Sequence, residues 1–76
     1  MRVIIYKLNG SGKIVKDYLT RKEATEAYYN FCDLKKCNYG SPVYSYNRDL
    51  NRSEQIGMES VGTEVKINLY FNNKTL

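Results

Sequence analysis

The stretch Glu64-Val65-Lys66-Ile67-Asn68-Leu69-Tyr70-Phe71 alternates polar and apolar residues without a break. Because successive side chains of a β-strand point to opposite faces, this period of two predicts a strand with one buried face. The side chains predicted to face the core are those of Val65, Ile67, Leu69 and Phe71. Tyr70 is then expected on the opposite face.

Two weaker strand signals precede this stretch, separated from it by a turn at residues 61–63. Residues 54–59 place Ile56 and Met58 on one face, and residues 43–46 form an alternating strand that Pro42 opens. A proline at the start of a strand removes a donor where it does least harm. By alternation, Tyr44 and Tyr46 share one face of their strand.

A helix is predicted upstream, because Thr20-Arg21-Lys22-Glu23 fits a capping box and Leu19 could staple onto Ala24. At 100° per residue, the helix has an apolar face and a polar face. The apolar face contains Ala24, Ala27, Tyr28, Phe31 and Leu34, and the opposite face contains Lys22, Glu26, Tyr29, Asp33 and Lys36. Gly40 is expected to end the helical region.

The N-terminal segment predicts a β-hairpin, with residues 3–8 and 13–19 extended on either side of Asn9-Gly10-Ser11-Gly12. Val3, Ile4 and Ile5 are apolar on both faces, so the first strand is expected inside the sheet. The sequence therefore predicts an α+β fold of order ββαβββ. It consists of an antiparallel sheet of four or five strands, with one helix packed on one face. We expect residues 1–76 to form a single small domain, with residues 71–76 as a frayed tail.

Composition limits the cellular location, the source and the partners expected for this chain. It has no apolar run long enough to span a membrane and no secretory signal, so no membrane partner and a cytoplasmic location are expected. Its bias toward residues with AT-rich codons is typical of a low-GC bacterium or its phage. The formal net charge is +4, and residues 1–22 hold six basic groups against one acid. This surplus fits either a hairpin kept in solution by its lysines or attraction to an acidic partner.

The sequence offers little for catalysis or cofactor binding. It has no histidine, and two cysteines fall short of the four ligands of a structural zinc site, so neither a metal nor a cofactor is expected. On a continuous helix, the Cα atoms of Cys32 and Cys37 would lie about 8–9 Å apart, whereas a disulfide needs less than about 7 Å. Cys32 is therefore expected to be a semi-buried packing residue. For Cys37, a reactive and exposed thiol is left as a possibility. The sequence does not predict an enzyme.

The remaining signal is tyrosine, with eight residues in 76. Tyr28 is expected in the core, whereas Tyr44, Tyr46 and Tyr70 could lie together on the uncovered sheet face as a partner-binding surface. The alternative is that aromatic residues simply favour strands.

The functional hypothesis is a small, non-catalytic binding protein of a phage or mobile element. It would bind and inhibit a host protein or a host defence complex, in the manner of anti-CRISPR proteins in size and architecture only. The alternative is a nucleic-acid-binding module that uses the basic N-terminal hairpin for phosphate contacts and the tyrosine-rich sheet face for stacking. Those contacts would come from Lys7, Lys13, Lys16, Arg21 and Lys22. A homodimer is also left open, formed through the last strand if that strand lies at an edge.

Overall fold

A computed structural model describes residues 1–38 and 40–71. The elements are β1 (Arg2–Lys7), β2 (Lys13–Asp17), α1 (Arg21–Leu34), β3 (Ser41–Asn47), β4 (Arg52–Val61) and β5 (Val65–Tyr70). The strands form one five-stranded antiparallel sheet in the order β2-β1-β5-β4-β3. The predicted α+β fold of order ββαβββ is confirmed.

Strand β5 lies in the middle of the sheet, between β1 and β4. Its alternation places Ile67 and Leu69 in the core, where they are 0% and 1% exposed. Strand β1 is also interior, which explains why its apolar residues occupy both faces. The idea of a dimer formed through the last strand is therefore wrong, because both edges of β5 are already paired. The sheet edges are β2 and β3.

Helix α1 begins at the predicted cap. Thr20 is extended (φ −120°, ψ 155°), and its hydroxyl oxygen accepts a hydrogen bond of 3.1 Å from the backbone N–H of Glu23. The Thr20 hydroxyl in turn donates to the Glu23 carboxylate at 3.0 Å. The predicted staple is absent, because Leu19 is 94% exposed and does not cover Ala24. The cap therefore relies on hydrogen bonds.

The buried stripe of α1 consists of Ala24, Tyr28 and Cys32 at a spacing of four residues. It is rotated by about 60° from the predicted stripe at 100° per residue. This rotation leaves Leu34 exposed, whereas it was predicted to be buried, and half-buries Tyr29, which was predicted to face solvent. Cys32 is a fully buried core residue instead of a flanking one. The reason is that the helix packs along the i, i+4 row over β1 and β5.

The helix ends at Leu34, and Gly40 plays no part in ending it. Lys36 adopts a left-handed conformation (φ 56°), and the Cys37 N–H donates to the carbonyl of Cys32 at 2.9 Å. Together with the 3.4 Å bond from the Lys36 N–H to the Asp33 carbonyl, this is a Schellman end. Gly40 serves packing instead, since a Cβ atom there would collide with the Glu59 carbonyl and the Tyr28 hydroxyl.

The core lies between α1 and one face of the sheet. Val3, Ile5, Ile67 and Leu69 pack against Ala24, Tyr28 and Cys32. The Tyr28 hydroxyl pairs with the Ser60 hydroxyl, and the Cys32 thiol donates to the same oxygen at 3.3 Å. Phe71 packs against this core beneath the Arg21 guanidinium, which lies 3.9 Å from the ring centroid. The rest of the predicted tail, residues 72–76, lies outside the described residues.

Candidate binding surface

Helix α1 covers one face of the sheet, and the opposite face, here called the open face, carries no helix among the described residues. Paired residues of antiparallel strands point to the same side, so the register defines the open face row by row. The rows across the sheet are Lys13, Tyr6, Lys66 and Val61; then Val15, Ile4, Asn68, Glu59 and Ser41; then Asp17, Arg2, Tyr70, Gly57 and Val43.

One end of the sheet extends as a two-stranded ribbon, residues 44–55, here called the arm. Strand β4 pairs with β5 only from Gly57 to Val61, so its first residues pair with β3 alone. The molecule is correspondingly elongated, with extents of 39 × 22 × 21 Å. The arm therefore presents both of its faces to the surroundings.

Alternation along β3 decides which side of the arm carries the tyrosines. Val43 pairs with Gly57 and therefore lies on the open face. The register shifts directly after it, because Tyr44 pairs with Gln55. The extra residue of this bulge, Ile56, belongs to β4, so β3 continues without an insertion. Tyr44 and Tyr46 therefore lie on the side opposite Val43, where they are 61% and 57% exposed.

The tip of the arm is held by a network of side-chain hydrogen bonds. The Asn47 Oδ1 accepts from the backbone N–H groups of Asp49 and Leu50 at 3.0 and 3.2 Å, and its Nδ2 donates to Glu54 at 3.1 Å. The Tyr46 hydroxyl donates to Asn51, which adopts the left-handed conformation (φ 54°). The turn thus has a defined shape, which lowers the ordering cost of binding.

Tyr70 lies on the open face, in a cluster at the sheet centre. Its hydroxyl accepts a 2.8 Å hydrogen bond from the Asn68 Nδ2 and also pairs with the Tyr6 hydroxyl, and the latter bond raises the pKa of Tyr6. Since Asn68 lies two residues back along β5, the Tyr70 hydroxyl is directed away from the arm. The structure therefore brings Tyr44 and Tyr46 together on one side of the arm and places Tyr70, which is 40% exposed, on the opposite face.

A small cleft separates Tyr70 from the arm. Gly57 lies between Val43 and Tyr70 in its row, and the cleft at this point has a volume of about 150 Å³. A Cβ atom at Gly57 would collide with the Leu69 carbonyl oxygen, so close strand packing requires glycine here. The bare backbone leaves a notch between Val43 and Tyr70 on the open face.

The basic residues of the nucleic-acid hypothesis do not gather on one face. The register places Lys13 on the open face but Lys7 and Lys16 on the helix side. The Lys16 ammonium lies 5.8 Å from the Phe31 ring centroid, and Arg21 stacks on Phe71. Lys22 is exposed in the first turn of α1. This set is therefore distributed around the hairpin and the helix start.

The two cysteines are buried free thiols, so the exposed reactive thiol considered for Cys37 is wrong. Cys37 is only 9% exposed, and burial, with a smaller contribution from Cys32, raises its pKa. A thiol held in its neutral form is a poor nucleophile. Among residues 1–38 and 40–71 no three His, Cys, Asp or Glu side chains are grouped as metal ligands. No helix in this part of the chain is long and apolar enough to cross a membrane.

Sequence reasoning missed two residues of the sheet and the arm. Tyr6 sits in an apolar strand and gave no sign that it would join Tyr70 over Asn68. Leu50 is 50% exposed at the tip of the arm, in the otherwise polar segment 47–51, which has no strand or helix pattern. Comparison with protein-family models, curated proteins and solved structures finds no match to this chain.

Proposed function

We propose that this chain is a small, non-catalytic binding protein of a phage or mobile element, which acts in the host cytoplasm by binding and inhibiting a host protein or defence complex. The observation that carries the proposal is the arm, which presents the exposed rings of Tyr44 and Tyr46 on one side of a ribbon that extends beyond the helix-covered sheet. Tyrosines supply a large contact area at low entropic cost.

The shape of the arm supports a protein partner. Two neighbouring exposed rings on a projecting ribbon can enter a recess on a partner, which is how anchor residues and pockets meet in protein interfaces. The hydrogen-bonded tip keeps Leu50 and Tyr46 in place before binding. Leu19 and Leu34 are also exposed, but each stands alone on the helix side, where single apolar residues are ordinary.

The experiment places p-benzoylphenylalanine at Tyr44 and irradiates the protein in lysate from a low-GC bacterium. The same group at Leu19 is the control. A host protein captured only from position 44 is then purified for binding and activity assays. We expect Tyr44→Ala with Tyr46→Ala to weaken binding by about thirtyfold or more and to relieve inhibition.

The matched control is Leu19→Ala with Leu34→Ala, which removes two exposed apolar side chains that lie outside the arm. This control should bind and inhibit like the unaltered protein. Equal capture from positions 44 and 19, or equal losses in the two double variants, would contradict the proposal.

A nucleic-acid-binding function is the second candidate, and one observation favours it. On the open face, Tyr6 pairs with Lys13 on one side and Lys66 on the other, so an aromatic ring lies between two cations. Single-stranded nucleic acids bind by such stacking and phosphate contacts. A mobility-shift titration with single-stranded DNA and RNA at two salt concentrations tests it. Binding weakened by Lys13→Glu supports this candidate, and no shift at low salt eliminates it.

A further inference from the structure

Strand β2 forms an open edge of the sheet. It pairs only with β1, and all five of its residues are exposed, including Ile14 (49%) and Val15 (42%). The opposite edge is interrupted, because β3 contains Pro42 and its pairing with β4 is bulged after Val43. Proline, bulges and lysines discourage strand addition. Strand β2 has no proline or bulge, and its lysines discourage pairing only with strands that offer no opposite charge.

The ladder between β1 and β2 shows which groups of β2 are free. Met1 and Tyr18 exchange two hydrogen bonds, at 3.2 and 2.8 Å, and the Lys7 N–H donates to the Gly12 carbonyl at 3.1 Å. Because bonded pairs alternate along an antiparallel ladder, residues 12, 14, 16 and 18 bond to β1. The N–H and C=O groups of Lys13, Val15 and Asp17 therefore point outward from the edge.

This edge is complementary to itself. We propose that β2 pairs antiparallel with β2 of a second copy about a two-fold axis at Val15. Val15 then faces Val15 of the second copy, and each Lys13 faces the Asp17 of the other chain. The outward groups supply two hydrogen bonds for each of these three pairs, about six in all.

Charge pairing favours this register over the registers that are shifted by two residues. With Val15 at the axis, both Lys13 side chains meet an opposite charge across the interface. Shifting the register by two residues removes these pairs, and in one direction it places Lys16 opposite Lys16 of the second copy. Opposite charges directly across a ladder stabilise it, whereas like charges destabilise it. On the helix side, the aliphatic stem of Lys16 covers the exposed Ile14 of the second copy.

The dimer joins two five-stranded sheets into one of ten strands, with β2 at the centre and β3 at both ends. Since paired residues point to the same side, the two open faces become continuous and the two arms lie at opposite ends. Tyr44 and Tyr46 take no part in the β2–β2 interface, so this dimer is independent of the proposed function.

The first test is sedimentation equilibrium from about 1 µM to about 1 mM, a range that includes weak association. The unaltered chain is expected to approach twice its monomer mass of 8.9 kDa. Lys13→Glu and Asp17→Lys each place like charges across the interface, and each should raise the dissociation constant about tenfold. An equimolar mixture of the two variants restores both opposite-charge pairs and should dimerise like the unaltered chain.

A monomer throughout this range overturns the proposal, and so do variants that dimerise as well as the unaltered chain. Circular dichroism checks that each variant is folded.

The second test determines the register of the β2–β2 pairing by disulfide cross-linking of introduced cysteines. The native thiols do not interfere because both are buried. Val15→Cys should form an intermolecular disulfide on mild oxidation, since directly paired Cα atoms lie within bonding range. Lys13→Cys alone should not form one, but mixed with Asp17→Cys it should form the mixed disulfide. Cross-linking of Lys13→Cys with itself in preference to Asp17→Cys would contradict the proposed register.

Discussion

At the residue scale, the polar groups of the core are joined under the helix. The Tyr28 hydroxyl and the Cys32 thiol both bond to Ser60, which is 2% exposed. Burial raises the pKa of Tyr28, and it also raises the pKa of the Cys37 thiol nearby in the same core cluster. The interior of this protein therefore favours neutral side chains at positions that could ionise.

The first prediction concerns stability at alkaline pH. Cys37 has an ordinary pKa of 9.0 and Tyr28 one of 10.0, and folding raises both. Below these values both states hold the proton, so stability is unaffected. Above about pH 9 the unfolded chain loses protons that the folded chain retains, so the free energy of unfolding falls, by at most about 1.4 kcal/mol per pH unit for each group.

Urea unfolding at pH 7, 8, 9 and 10 measures this decline. Cys37→Ala removes the group that titrates first and should flatten the part of the decline that begins near pH 9. If the stability difference between the variant and the unaltered chain is the same at pH 7 and pH 10, Cys37 does not contribute as described.

At the element scale, helix α1 depends on its first turn. The apolar staple is absent, and the last turn has no basic residue, so Thr20 and Glu23 supply the local stabilisation at the N-terminus. The C-terminus is stabilised by the Schellman bonds that end at Cys37. Local hydrogen bonds thus define both ends of a helix whose middle is held by packing.

The second prediction is that Thr20→Ala lowers the free energy of unfolding by about 1 kcal/mol, because the Glu23 N–H loses its acceptor. Thr25→Ala is the matched control in the same helix. Thr25 only donates to the Arg21 carbonyl at 2.7 Å, so alanine there should be neutral or slightly stabilising. Chemical denaturation of both variants makes the comparison, and equal losses would show that the cap contributes nothing particular.

At the scale of the whole molecule, stability is unevenly distributed. Helix α1 packs on β1 and β5, which form the centre of the sheet, whereas the arm is a ribbon held by the β3–β4 ladder. Segments with few buried apolar contacts open at lower free energy than the core. The candidate binding surface therefore lies on the less stable part of the fold.

The third prediction is a gradient of hydrogen exchange along β4. Residues 57–61 pair on both sides and should exchange nearly as slowly as β1 and β5, whereas residues 52–55 should exchange faster by local opening. Native-state exchange followed by NMR measures both halves of the same strand, which serves as its own control. Equal protection along β4 would contradict the description of the arm as a separately opening ribbon.

The sequence by itself determined the order of elements, the helix start at Thr20, the interior position of β1 and the buried row of β5. Each of these follows from local chemistry: a period of two, a capping pair, or apolar residues on both faces. Tertiary structure decided the rest. It rotated the helix onto Ala24, Tyr28 and Cys32, placed the last strand at the centre of the sheet, and buried Cys37.

The bulge after Val43 shows why these features could not be predicted from the sequence. Alternation alone puts Tyr44 and Tyr46 on a common face, but it does not say which face. The choice depends on how β3 joins the sheet: Val43 pairs with Gly57 on the open face, so Tyr44 and Tyr46 alternate to the opposite side. The inserted residue, Ile56, reverses the side chains that precede it in β4. Register is fixed by contacts between strands, and these exist only in the folded chain.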